Sequence, residues 1–167
     1  HSFSLKQPEF FRSFAESRSW EPGWLADYRK ECWDKFSALP ERRLKDERWR
    51  FSPRARFRLD NILAKADAKH SLTINETSES EEITVDLFDR LILDQPHSLY
   101  ALPKIQGPDL GADDYSLLTG AFAETGYLIR AQKSARSDTP LVIEHHEPDN
   151  GKIAFHHSLI ELDANSE

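Results

Sequence analysis

The chain has 167 residues, 38% of them hydrophobic and 11% aromatic, which fits one globular domain or a small domain with part of another. Ten Phe, four Trp and four Tyr can build a core, so wholesale disorder is not expected, and no apolar run is long enough for a membrane-spanning helix. The formal net charge is −7, but residues 41–58 carry eight Lys or Arg against three acids, a local +5 that leaves −12 on the remainder.

The first half reads as helical. Pro8 followed by Phe10, Phe11 and Phe14 predicts a short amphipathic helix ending near Ser17. Pro22 suits the first position of a second helix. Its apolar stripe is Trp24, Leu25, Tyr28, Cys32, Phe36 and Leu39, with Asp27, Arg29, Lys30, Asp34 and Lys35 on the other side. Pro40 stops it, because the residue before a proline is pushed out of the α region. A single cysteine excludes an internal disulfide and makes a reducing, cytoplasmic compartment the expectation. Its place in the stripe predicts a small buried hydrophobe, not a reactive thiol.

The basic segment follows, with Arg42, Arg43, Lys45, Arg48, Arg50, Arg54, Arg56 and Arg58 around Trp49, Phe51 and Phe57. Cations with interleaved aromatics are what a nucleic-acid-binding module would use over 42–58. The chain as a whole is acidic and carries no recognition motif, so no nucleic-acid partner is expected. A short helix is expected over 56–69, a strand over 71–75, an acidic Ser/Thr-rich loop over 76–82 and a second strand over 83–85. Leu87 to Leu93 reads as a short helix or turn closed by Pro96. Asp113 to Thr125 reads as a helix with Gly126 as its left-handed cap. Tyr127 to Ala131, Leu141 to His146 and Ile153 to Leu162 read as strands.

This order predicts an α+β fold with segregated parts: a helical amino-terminal region over 1–70, a mixed connecting region over 71–126 and a strand-rich region over 127–167. The chemistry is sparse. With six Gly, neither a phosphate-cradling loop nor a dinucleotide fingerprint can be written, and there is no nucleophile elbow. Two histidine doublets stand out, His145-His146 and His156-His157, on consecutive expected strands across Pro148-Asp149-Asn150-Gly151. A two-residue hairpin at Asn150-Gly151 would set His145 opposite His156, with His146 and His157 on the other face. Glu144 or Glu147 would be further ligands. A small histidine-based metal-binding protein is therefore an alternative reading, beside structural or surface histidines. No residue is assigned as catalytic, cofactor-binding or metal-ligating.

Two stretches resemble a known family. Residues 20–51, with Trp20-Glu21-Pro22-Gly23-Trp24-Leu25, Leu39-Pro40 and Asp46-Glu47-Arg48-Trp49-Arg50-Phe51, resemble the opening of SufD-type iron–sulfur cluster assembly proteins. Residues 115–130, with Gly120-Ala121-Phe122 and Gly126, are similar to the family's Leu-Asn-x-Ala-Phe…Gly segment, although Thr119-Gly120 stands where an Asn-containing dipeptide is common. Pro140-Leu141-Val142-Ile143 and His156-His157-Ser158-Leu159-Ile160 follow in the family's order, and the related SufB subunit shares these later features.

The resemblance implies a cytoplasmic scaffold without catalysis of its own. Its fold would be a helical amino-terminal domain followed by the first strands of a right-handed parallel β-helix, truncated at Glu167. The family handles iron–sulfur clusters, but the resemblance implies no cofactor in this portion. It also implies a SufB-like subunit and a SufC-like ATPase as partners, engaged mostly through regions not present here, and no membrane. A β-helix stopped early exposes a strand edge, so self-association through that edge is expected.

Overall fold

The computed structural model describes residues 7–39, 72–75, 82–100, 113–138, 140–145 and 154–167. The basic segment 41–58, the helix expected over 56–69, most of the loop over 76–82, His146, Glu147 and the Asn150-Gly151 turn lie outside the described residues. In chain order the elements are α1 (Pro8–Ser17), α2 (Gly23–Ala38), β1 (Leu72–Asn75), β2 (Ile83–Leu87), α3 (Phe88–Asp94), a 3-10 turn (Pro96–Leu99), α4 (Asp113–Phe122), β3 (Thr125–Ala131), β4 (Val142–His145) and β5 (His156–Leu162). The fold is α+β, and the chain divides into two units.

The first unit holds α1, α2 and α4. α1 opens on Pro8, whose missing N–H costs nothing in a first turn. Pro22 caps α2 from just outside the helix, and Leu39 is extended before Pro40, as the proline demands. Leu25, Tyr28, Cys32 and Phe36 of the expected stripe are buried, and Trp33 joins them at 7% exposure. Phe122, at the end of α4, is the centre of an aromatic cluster. Phe14, Phe11 and Trp33 meet its ring edge-on at 5.1, 5.8 and 5.7 Å, and Phe11 stacks on Trp33 at 5.2 Å. Such pairs contribute about 0.5–1.5 kcal/mol each beyond their buried area.

Arg29 does not lie on the solvent side of α2, as its charge predicted. It is 3% exposed, because Glu21 in the α1–α2 turn supplies a buried counter-charge. Arg29 Nε and Nη2 donate to Glu21 Oε2 and Oε1 at 2.7 and 3.0 Å, and Nη1 donates to the Ala121 carbonyl at 3.2 Å. Arg18 Nη1 donates to Glu21 Oε1 at 2.9 Å. One guanidinium thus ties the turn before α2 to the last turn of α4, whose carbonyls have no intrahelical donors.

α4 and α2 approach closely at Gly120. A Cβ there would lie 2.5 Å from Cys32 Sγ and 3.0 Å from Tyr28 Oη. α4 falls in the middle segment of the sequence division yet packs with the amino-terminal helices, because Leu118, Ala121 and Phe122 are its buried face.

The second unit holds the five strands, α3 and the 3-10 turn. β2, β3 and β5 form one sheet in that order, with β2 antiparallel and β5 parallel to the central β3. β1 and β4 form a separate antiparallel pair. Leu128 and Leu159, partners across β3 and β5, are buried together, and α3 contributes Phe88, Leu91 and Ile92 to the same unit's core.

Gly126 corrects a second expectation. α4 ends at Phe122, and Gly126 is the second residue of β3, not a helix cap. Its partner in register is His157, and a Cβ on Gly126 would lie 1.6 Å from the His157 carbonyl oxygen. Among the described residues no helix is long and apolar enough to cross a membrane.

Candidate functional site

His145 and His156, one from each doublet, define the site, by a route other than the expected hairpin. β4 does not pair with β5. It pairs with β1, where Leu72 is the partner of His145, while β5 runs parallel to β3. A turn signal between two apolar segments favours local pairing, but each strand here takes a neighbour from further away in the sequence.

His145 and His156 nevertheless meet. Their ring centres are 4.6 Å apart at 87°, an edge-to-face arrangement. Tyr127, on β3, flanks both rings, at 5.3 Å from His156 and 6.2 Å from His145. Ser158 follows two residues after His156 and so shares its face of β5. Its Oγ is 2.5 Å from His156 Nε2. Tyr127 and Ser158 are register partners, which brings the phenol to this face. His145 is exposed and His156 half-buried.

His157 points the other way, as strand alternation requires. Its ring lies nearly parallel to Phe88 at 6.3 Å. On that same face Arg130 Nε donates to Glu161 Oε2 at 2.9 Å across β3 and β5. Glu144 precedes His145 in β4 and therefore projects from the opposite face. Among the described residues no group of three or more His, Cys, Asp or Glu is placed to hold a metal ion.

Cys32 is 2% exposed, and burial pushes its thiol above the ordinary range, which disfavours the thiolate needed for nucleophilic or ligand chemistry. Burial, helped by the nearby Cys32, likewise raises the Tyr28 hydroxyl. Both are packing groups of the first unit.

Sequence reasoning found His145 and His156 but missed Tyr127 and Ser158. Ser158 was within reach of the i, i+2 rule once His156 was placed on a strand. Tyr127 was not, since only the β3–β5 register brings it there. No protein-family model matches the chain, and no curated protein matches it.

Proposed function

We propose that the chain is a scaffold module of the SUF iron–sulfur cluster assembly machinery, comprising a SufD-type helical amino-terminal domain and the first strands of a β-helix. The observation that carries the reading is the β3–β5 pairing. Two parallel, in-register strands normally need a helical crossover between them. Here the described part of the connection holds no helix, only β4, and β4 belongs to another sheet. A strand beside its successor, with the intervening strand in a different sheet, supports a solenoid coil as the reading of β3 to β5, while β2 and β4 each pair antiparallel with their neighbours. The ordered motifs at 20–51 and 115–130 support the same reading from the sequence side.

Such a module acts by holding surfaces in place, not by bond-making, and works in the cytoplasm with a SufB-like subunit and a SufC-like ATPase. β5 is the outer strand of its sheet among the described residues, with Ile160 61% and Leu162 68% exposed. That edge suits the addition of another strand, from a continuing chain or from a second copy. The test is co-purification of the full-length protein, expressed in its own cell at native level, with an ATPase and a SufB-like subunit. Retention of both through size exclusion is expected, and a full-length protein that retains neither overturns the reading.

A further inference from the structure

His145 and His156 come from different strands of different sheets, and their separation has a chemical meaning. An ion ligated at about 2.1 Å by an imidazole nitrogen lies roughly 3.2 Å from that ring's centre, so two imidazoles at adjacent coordination positions have centres about 4.5–5.2 Å apart. The observed 4.6 Å falls in that interval. Plain aromatic packing also tolerates this spacing, so the surroundings decide.

Ser158 Oγ lies against His156 Nε2, the kind of outer contact that fixes the tautomer of a ligating imidazole. With Nε2–H donating to that hydroxyl, the ring's lone pair is on Nδ1. Tyr127 flanks both rings and limits their rotation. His145 is exposed, so solvent reaches its ring, while His156 Nδ1 is buried beside it.

We propose that His145 and His156 form a two-imidazole site for a divalent late first-row transition-metal ion. Neutral nitrogen donors select copper, nickel or zinc over magnesium or calcium. With no third protein ligand among the described residues, the remaining positions belong to water or to an exogenous donor. The ion therefore exchanges more readily than one in a closed four-ligand structural site. The site is independent of the scaffold reading, and either can fail without the other.

The tag-free chain is titrated with Cu2+ alone and the complex examined by electron paramagnetic resonance. One equivalent bound with two equatorial imidazole nitrogens is expected. His145→Ala and His156→Gln each weaken binding at least tenfold and reduce the pattern to one nitrogen, and His97→Ala leaves both unchanged. Ser158→Ala weakens binding several-fold while keeping two nitrogens. Amide spectra of each variant report the fold separately, and His145, being exposed, is the substitution least able to disturb it. Binding within twofold of wild type in His145→Ala, or a wild-type complex with a single imidazole nitrogen, overturns the proposal and leaves edge-to-face packing as the pair's role.

Discussion

The carbonyl oxygen of His157 occupies the space where residue 126 would carry a Cβ: an added carbon on Gly126 would lie 1.6 Å from it. The obstacle is backbone, so no side-chain rotation relieves it. Gly126→Ala must push β5 away from β3 near the start of their shared register. We expect a loss of about 3 kcal/mol or more, in the range of the larger single-residue effects. Trp20, Trp24 and Trp33 belong to the helical unit, so their fluorescence is a poor reporter of this change. Amide exchange along β3 and β5 checks it directly. Unchanged protection of Leu128 and Leu159 would refute the close approach.

Glu21 and Arg29 form a buried pair, and its two partners are not equivalent to a surface bridge. Removing Arg29 leaves Glu21 buried with Arg18 as its remaining counter-charge, which places the loss at or below the low end of the roughly 3–5 kcal/mol for breaking a buried pair, whereas exchanging both for apolar groups of similar size is often near neutral. Arg29→Met should therefore lower stability by about 2–3 kcal/mol, and Glu21→Leu combined with Arg29→Met should recover part of that, Arg18 losing its partner in exchange. Urea unfolding followed by tryptophan fluorescence is the measurement, since Trp24 and Trp33 lie in the same unit. The Ala121 carbonyl loses its donor in both variants, so recovery stops short of wild type by about 1 kcal/mol.

Gly120 and Cys32 make a second testable pair. The clash that Gly120→Ala introduces is chiefly with Cys32 Sγ, at 2.5 Å, and less with Tyr28 Oη and Cys32 Cβ, at 3.0 and 3.3 Å. Overpacking of this kind costs about 1–3 kcal/mol. Cys32→Ala removes the sulfur and leaves a small cavity of its own. The double variant should therefore be more stable than the sum of the single losses by 0.5 kcal/mol or more, read from a double-mutant cycle in urea. Strict additivity would mean that α4 shifts instead of pressing on Cys32.

Alkaline pH should loosen the same contact. Burial raises the Cys32 thiol above its ordinary 9.0 and the Tyr28 hydroxyl above its ordinary 10.0. As pH rises, the unfolded chain releases these protons before the folded one does, so it binds fewer protons and stability falls. The contribution is intact below pH 9.0, declines first through Cys32 and declines again above 10.0 as Tyr28 joins. Tyr28→Phe should abolish the second phase and keep the first, moved further up because the Tyr28 hydrogen bond that lowers the Cys32 thiol is gone. Urea midpoints at pH 7.5, 9.5 and 11 measure it, and a flat profile across that range would contradict the assignment.

The helical unit was legible because its information is local. A stripe spaced at three and four residues identifies the buried side of α2 without reference to anything outside it. Arg29 escaped that logic, since what makes its burial tolerable is Glu21, a residue beyond the helix. Gly126 was misplaced for a related reason. A glycine after a helical stretch is a cap by the local rule, and only the β3–β5 register reveals the carbonyl pressed against it. The strands repeat the point. Alternation says which residues share a face but not which strand lies alongside, so the expectation puts His145 beside His156 through a β4–β5 pairing that the described strands do not make.

The β5 edge offers the last prediction, and it bears on the proposed scaffold. β3 is flanked on both sides, by β2 and by β5, so successive amides along it find partners in one strand or the other. β5 has only β3 beside it among the described residues, so alternate N–H groups face outward. In the isolated chain at low concentration, every amide of β3 from Tyr127 to Arg130 should exchange slowly, while β5 shows a slow–fast alternation. Exposed Ile160 and Leu162 leave that edge no apolar shield. If β5 serves for strand addition, raising the protein concentration should slow its fast amides and leave β3 unaffected, and Ile160→Lys should prevent the slowing. Hydrogen exchange read by NMR at two concentrations separates the cases. Uniform slow exchange along β5 at the lowest concentration would mean that the edge is already covered within one chain.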